Sequence, residues 1–285
     1  MIATYARPRD LQKVLESIAG CAPAPQEVLV VDGDPVGSAR AVTETMSGTI
    51  TNLRYLQAER GLTKQRNRGA AEASGDVVVY LDDDVEISPD LFTYVVSAYV
   101  DPSVVGMTGK VLEEQPGRLI SKGSRIRRFL PGGGTEGSFT RFGYPRRILE
   151  DRLQDVEFMQ GCFITARREQ TLAVGFDEAL AGYALAEDED FSYRLSRRGR
   201  IVYDPRAVVR HANSGFANRD RRVFDERVVL VRAYLFRKNF EQTFFARVQF
   251  GLLISMLLVH RILNREWAGA RGIVAGAMRS IRGQP

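Results

Sequence analysis

Cysteine and histidine are nearly absent: the 285 residues hold Cys21 and Cys162, His211 and His260, and no others of either type. Two cysteines cannot staple a disulfide scaffold or fill a structural zinc site without further ligands. Two histidines exclude an imidazole-rich metal cage. An N-terminal apolar run of signal-peptide length is missing too, because Arg7, Arg9 and Asp10 come early, so a reduced, cytoplasmic compartment is expected. Long apolar runs are scarce. The longest, FGLLISMLLV at 250–259, has 10 residues, where a bilayer span needs roughly 20. Extending it over 244–263 takes in Arg247, His260 and Arg261. No internal repeat is present.

Apolar residues make up 44% and charged residues 26%, enough apolar surface for a folded core and too much for a disordered chain. The net charge of +5 is unevenly placed. Residues 1–226 carry 30 basic and 33 acidic side chains, whereas residues 227–285 carry 10 basic and 2 acidic, a net of +8. The apolar run lies in that basic tail. This pattern fits an element lying on an anionic membrane surface, with the inner face of the membrane as its location. A helix packed on the body of the protein, or a contact between copies in a homo-oligomer, is the competing reading. Nucleic-acid binding is disfavoured, since aromatics and arginines do not interleave in a stacking pattern.

The first 110 residues alternate strand-like and helix-like segments. EVLVV at 27–31 ends at Asp32, and DVVVYL at 76–81 is a β-branched run ending in Asp82, Asp83 and Asp84. Helical patterns cover 63–73 and 89–99. Such alternation predicts an α/β domain with a largely parallel sheet, whose ligands bind beyond the carboxyl ends of the strands. Residues 113–152 show no periodicity, and a stretch of that length is commonly functional. Short strand-like runs follow at 201–203 and 207–209, and the chain reads as helical from Phe224 onward.

Three adjacent aspartates repel one another unless a cation or a proton intervenes. An all-oxygen set suits Mg²⁺ or Mn²⁺ on phosphate oxygens; the bland alternative is a solvated turn in which Asp84 or Ser88 caps the next helix. A second cluster, Glu187, Asp188, Glu189 and Asp190, opens a helix. The helix dipole favours acids there, yet four in a row also suit a carboxylate base for a hydroxyl nucleophile. His211 ends a strand-like run.

Together these segments resemble the family-2 inverting glycosyltransferases with the GT-A fold. TYARP at 4–8 is similar to that family's Thr-Tyr-Asn-Arg-Pro, with Ala6 where it has Asn. VLVVDGDP at 28–35, GLTKQRNRGAAEASGD at 61–76, YLDDD at 80–84 and AEDEDFSYRLSRRGRIVYDPRAVVRH at 186–211 follow in the family's order. The resemblance implies a catalytic domain over 1–226, with a mixed, mostly parallel central sheet, and a helical segment over 227–285. It implies a nucleoside-diphosphate-sugar donor, UDP- or dTDP-linked, and a glycan or polyprenyl-linked acceptor. Thr4, Tyr5, Asp32, Arg66 and Asp82 would surround the nucleotide, Asp84 and His211 a Mn²⁺ or Mg²⁺ ion. Asp188 would be the base, with Glu187 and Asp190 supporting it or the acceptor. The chain opens at Met1-Ile2-Ala3, so a clipped first strand at a weak edge is also expected. A binding module on the same fold and a nucleotidyltransferase are the competing functions. The first would need neither carboxylate site, the second no base.

Overall fold

The computed structural model describes residues 1–113, 135–146, 148–149, 151–180, 185–212 and 220–281. Its sheet contains nine strands among the described residues: β1 Ile2–Thr4, β2 Val28–Asp32, β3 Leu53–Gln57, β4 Val77–Asp82, β5 Val85–Ile87, β6 Val104–Glu113, β7 Gln154–Val156, β8 Phe163–Arg167 and β9 Arg200–His211. The helices described are α1 Pro8–Ala19, α2 Arg40–Met46, α3 Leu62–Glu72, α4 Leu91–Ala98, α5 Arg168–Val174, α6 Glu187–Ser196, α7 Arg221–Asn239, α8 Phe244–Leu263 and α9 Trp267–Ile281.

The strand order is β3-β2-β1-β4-β8-β6-β9-β5, with β7 also on β9. The block β3-β2-β1-β4 is parallel, as is β6 with β9, while β8, β5 and β7 pair antiparallel. Every residue of β2 is buried, as expected where helices cover both faces of a parallel block. Alternate residues of the central strands feed opposite cores: Ile2, Val30 and Leu81 join Leu11, Leu15 and Leu91 on one face, and Leu29, Val78 and Tyr80 join Phe176 and Phe191 on the other. In α1 the buried Leu11, Val14, Leu15 and Ile18 keep the three- and four-residue spacing of one helical face.

Several expectations change. β1 is no edge: it lies between β2 and β4. The runs at 201–203 and 207–209 are one strand, β9. Its pairing with β6 steps from Gly109↔Asp204 to Lys110↔Val208, so Pro205, Arg206 and Ala207 form a bulge, where proline costs no ladder hydrogen bond. Neither Asp84 nor Ser88 caps α4, whose preceding residue is Asp90, without a side-chain cap. The acids at 187–190 form the first turn of α6, the helix they were expected to open. Most of the aperiodic stretch, residues 114–134, lies outside the described residues.

Contacts divide the chain into two compact units, Met1–Gln115 with Ile148–Asn213, and Pro116–Arg147 with Ser214–Pro285. The second unit holds α7, α8 and α9. Within it, Arg261 on α8 grips Asp225 on α7 through two nitrogens, at 2.8 and 2.9 Å, and Glu266 at 2.8 Å. Arg221 reaches the same two acids. Gly269, Gly272 and Gly276 line the face of α9 against α7; a Cβ on Gly272 would meet the Arg222 carbonyl oxygen at 2.2 Å, so only glycine permits that approach. The ten-residue apolar run belongs to a 20-residue helix, α8, long and apolar enough to cross a membrane by length and composition.

Candidate active site

The DDD turn lies where the chain leaves the parallel block at the end of β4 and re-enters the sheet as β5. Because Val85 pairs with His211 in register, the imidazole of His211 is delivered to Asp84: its Nε2 lies 3.1 Å from Asp84 Oδ1. The Ala212 amide donates to the Asp84 carbonyl oxygen and closes the turn. One ligand atom from each of Asp82, Asp84 and His211 lies within 4.8 Å of the others. Two carboxylates and an imidazole that face partly outward fit a hard or borderline divalent ion such as Mg²⁺ or Mn²⁺. Asp83 does not join them. It accepts from Thr4 Oγ1 at 2.7 Å and from Arg7 at 3.2 Å, and burial pushes its carboxyl up to about 6 despite both donors. Burial also raises Asp82, against the opposing charges of Arg66 and His211. At His211 burial works against the charged form, but the hydrogen bond and charge of Asp84 outweigh it and raise the imidazole.

Arg66 joins the two acidic clusters. Its side chain is 2% exposed, with Nη2 on Asp82 and Nη1 on Glu187, each at 3.0 Å. Nη2 also donates to the Gly161 carbonyl at 2.7 Å, and the guanidinium packs over the Phe176 ring. The residue expected beside a base is instead a buried cross-brace beneath the aspartates. Gly161 completes the junction from its other side. Its amide donates to Asp188 Oδ2 at 2.9 Å, while the Glu189 amide donates to Oδ1 at 2.9 Å. A Cβ on Gly161 would stand 3.2 Å from that Asp188 oxygen and 3.3 Å from Glu187 Oε1. Burial first, then the Glu189 charge, pushes Asp188 up to about 7, against the pull of Arg66 and the two amides. Glu187 is raised well above the ordinary carboxylate range by burial and by Asp188. Ala186, just before this turn, holds a left-handed φ of 61°, strain of the kind that accumulates at functional sites. Asp190 is fully buried and bonds Arg194 at 2.6 Å. Arg194 in turn donates to the Gly175 carbonyl, so Asp190 braces α6 against 174–175.

At the end of β2, Asp32 is buried and accepts from the Asp34 amide at 2.8 Å, the Ala39 amide at 3.0 Å and the Tyr55 hydroxyl at 3.1 Å. These donors take three of a carboxylate's about four lone-pair directions, and the residue is 0% exposed. Tyr5 is 38% exposed and carries the Arg60 guanidinium 4.2 Å from its ring centre. Four residues absent from the sequence expectations complete the site. Gln65 donates to the Thr4 and Val31 carbonyls, each at 2.8 Å, tying β1 to β2. Asn67 clamps 176–178 through Phe176 and Glu178. Arg7 sits on Asp83 and Asp84, and Arg60 on Tyr5. The signal for Gln65 was its placement four residues before Gly69, on the same inward face of α3.

The sequence matches the family described as Glycosyl transferase family 2 over residues 1–170. It is 25% identical over 222 residues to the glucosyl-dolichyl phosphate glucuronosyltransferase of Haloferax volcanii, covering 74% of this chain and 67% of that one. To the poly-beta-1,6-N-acetyl-D-glucosamine synthase of Staphylococcus aureus it is 23% identical, over 73% of this chain and 48% of the relative. The chain thus spans about half of that protein's length. Among solved structures, the mannosyltransferase PcManGT from Pyrobaculum calidifontis, in complex with GDP-Man and Mn²⁺, aligns with a TM-score of 0.59 at 14% identity over 100% of this chain and 86% of that one. S. aureus TarS 1-349 in complex with UDP-GlcNAc aligns with a TM-score of 0.59 at 15% identity, over 99% and 91% of the two chains. At such identities the likeness is one of fold.

Proposed function

This chain belongs to glycosyl transferase family 2 and is a glycosyltransferase of GT-A fold, and from that premise we propose the reaction it runs. A sugar moves from a nucleoside-diphosphate sugar, UDP- or dTDP-linked, to a hydroxyl of a glycan or lipid-linked glycan. The displacement is single, so the anomeric centre inverts. The observation that supports this most is the Arg66 brace, which brings an Asp-Asp-His triad and a carboxylate of raised pKa into one site although they lie far apart in sequence. A binding module needs no base tuned near neutrality, and a nucleotidyltransferase needs none placed like Asp188.

In this reading Asp82, Asp84 and His211 hold Mn²⁺ or Mg²⁺, which when bound neutralises charge on the leaving diphosphate. Asp188 takes the acceptor's proton. Its pKa near 7 suits it, since a base is most effective when its pKa lies near the working pH. The amides of Gly161 and Glu189 fix the carboxylate's orientation, and Glu187, neutral or paired with Arg66, keeps the neighbouring charge in check. Thr4 holds Asp83 aside, Tyr5 lies at the exposed edge where base and ribose would rest, and Asp32 offers its remaining lone pair to the N3–H of uracil or thymine.

We assign the chemistry to the unit Met1–Gln115 with Ile148–Asn213 and surface docking to the unit that holds α7, α8 and α9, so the boundary expected at 226, inside α7, moves to the start of that helix's unit. On α8, Phe244, Phe245, Val248, Leu252, Val259 and Ile262 are all exposed and recur at three- and four-residue steps along one side. The opposite side is held to α7 by Arg261. An apolar stripe beside the exposed Arg247, Arg265 and Arg271 fits the headgroup boundary of an anionic membrane better than a bilayer span, because a span would carry the Arg261–Asp225–Glu266 charges inside the hydrocarbon. The lipid-linked substrate in the name of the H. volcanii relative accords with this placement. Incubation with Mn²⁺ and a panel of nucleotide sugars, read as released nucleoside diphosphate, tests the reading. Release from one donor, dependent on acceptor and lost in EDTA, is expected. No release from any donor would refute it.

A further inference from the structure

Arg7 precedes α1 and has no role in the reaction proposed above. A single nitrogen, Nη1, is shared between Asp83 Oδ1 at 3.2 Å and Asp84 Oδ2 at 3.4 Å. Well-made charge-assisted bonds close to about 2.7–2.9 Å, so this contact is loose. Asp83 already has Thr4 at 2.7 Å; Asp84 has His211 on its other oxygen. The second arginine of the site behaves differently. Arg66 is 2% exposed and held by three bonds of 2.7, 3.0 and 3.0 Å through two nitrogens, whereas the Arg7 side chain is 34% exposed and engages the acids through one nitrogen. Arg66 is therefore a permanent counter-charge, and Arg7 is one that can exchange.

We propose that Arg7 is a place-holding cation, resting on Asp84 while the divalent-ion site is empty and passing to the donor's diphosphate when Asp84 takes the ion. The proposal rests on the donor-site reading above. Three adjacent carboxylates need a positive partner before any ion arrives, and Arg7 supplies it. An arriving divalent ion repels the guanidinium and competes with it for the Asp84 carboxylate. A nucleoside diphosphate carries more negative charge than one divalent ion cancels, and the planar fork of an arginine matches phosphate oxygens. Pro8 at the first position of α1 fixes the backbone beside Arg7, so the exchange needs only side-chain rotation.

Calorimetric titration of the full chain with Mn²⁺ alone, and then with UDP, dTDP and GDP at saturating Mn²⁺, tests it. The two steps should respond with opposite signs. Arg7→Ala should bind Mn²⁺ about three- to tenfold tighter, as removing a unit charge ~6 Å from a divalent ion in a largely aqueous dielectric allows. The same variant should bind the nucleotide that the wild type prefers about tenfold more weakly, having lost a charge-assisted contact. Arg7→Lys should bind Mn²⁺ like the wild type and the nucleotide at an intermediate level; Arg7→Gln, closer in size, repeats the neutral case should the alanine variant fail to fold. Asp84→Ala is the control and should abolish saturable Mn²⁺ binding. Unchanged or weaker Mn²⁺ binding by the neutral variants overturns the place-holder while leaving the donor site standing, and unchanged nucleotide binding overturns the hand-over. No saturable Mn²⁺ binding by the wild type overturns both.

Discussion

Replacing Asp188 with asparagine should separate chemistry, donor binding and stability in one variant. The amide keeps the side chain's size but cannot take a proton, so transfer should fall by roughly 10²-fold or more, while donor binding at the DDD turn is retained. The stability effect has a sign fixed by linkage. The folded-state carboxyl sits at about 7, above an unfolded value of about 4. The native state therefore binds more protons across that window, and the stability this group contributes is lost as pH rises through it. About three pH units correspond to about 4 kcal/mol at most; the side chain is only partly buried, so about 2 kcal/mol is the discounted expectation. Asparagine also loses one of the two amide bonds from Gly161 and Glu189, a pH-independent cost of about 1 kcal/mol. Net, Asp188→Asn should be more stable than wild type by about 1 kcal/mol at pH 8 and less stable near pH 4. Denaturant melts across that range measure the difference directly, and the constant cost cancels from the slope. Parallel stability curves for the two proteins would refute the perturbed carboxyl, and retention of more than about a tenth of wild-type turnover would refute the base.

Arg66→Met should destabilise the fold by about 3–5 kcal/mol, because it strands Asp82 and Glu187 without their shared counter-charge; a urea midpoint within error of wild type would show that the brace carries no strain-free burial of those acids. Replacing Phe244 and Phe245 together with serine should weaken co-sedimentation with anionic vesicles by about 2–4 kcal/mol if both rings enter the headgroup boundary. Equal binding by wild type and variant would move the stripe to a contact between copies, which analytical ultracentrifugation would then show as a concentration-dependent dimer.

The parallel block was legible because buried parallel strands write themselves as β-branched runs, as VLVV and VVVYL do. Helix α1 was not among the helical patterns read from the sequence, although Leu11, Val14, Leu15 and Ile18 keep the spacing of one helical face. The interior of β9 was not. Asp204, Pro205 and Arg206 interrupt the apolar pattern where the strand bulges, Asp204 staying buried against Arg206, so one strand reads as two. The glycines of α9 were equally silent. Gly269, Gly272 and Gly276 weaken an isolated helix, and their purpose shows only once the backbone of α7 is seen lying against them.

For the site, the sequence could nominate residue types but not their depth. Asp82, Asp84, His211 and Asp188 stand together, and the pairing of Val85 with His211 explains why a histidine so distant in sequence meets the DDD turn. Arg66 was misplaced for a physical reason. A motif arginine next to glycine and asparagine looks like a ligand contact when its partners are unknown, and both partners, Asp82 and Glu187, come from other elements. Once its guanidinium is seen beneath both clusters, the division of labour among the acids follows. Asp82 and Glu187 are each held by Arg66 at 3.0 Å, whereas Asp188 receives amide bonds and no direct guanidinium contact. Glu187 is nonetheless raised well above the ordinary carboxylate range, whereas burial and the Glu189 charge bring Asp188 to about 7, where a carboxyl exchanges its proton near neutral pH. That value, at the position to which the family motif also points, singles out Asp188 among four consecutive acids.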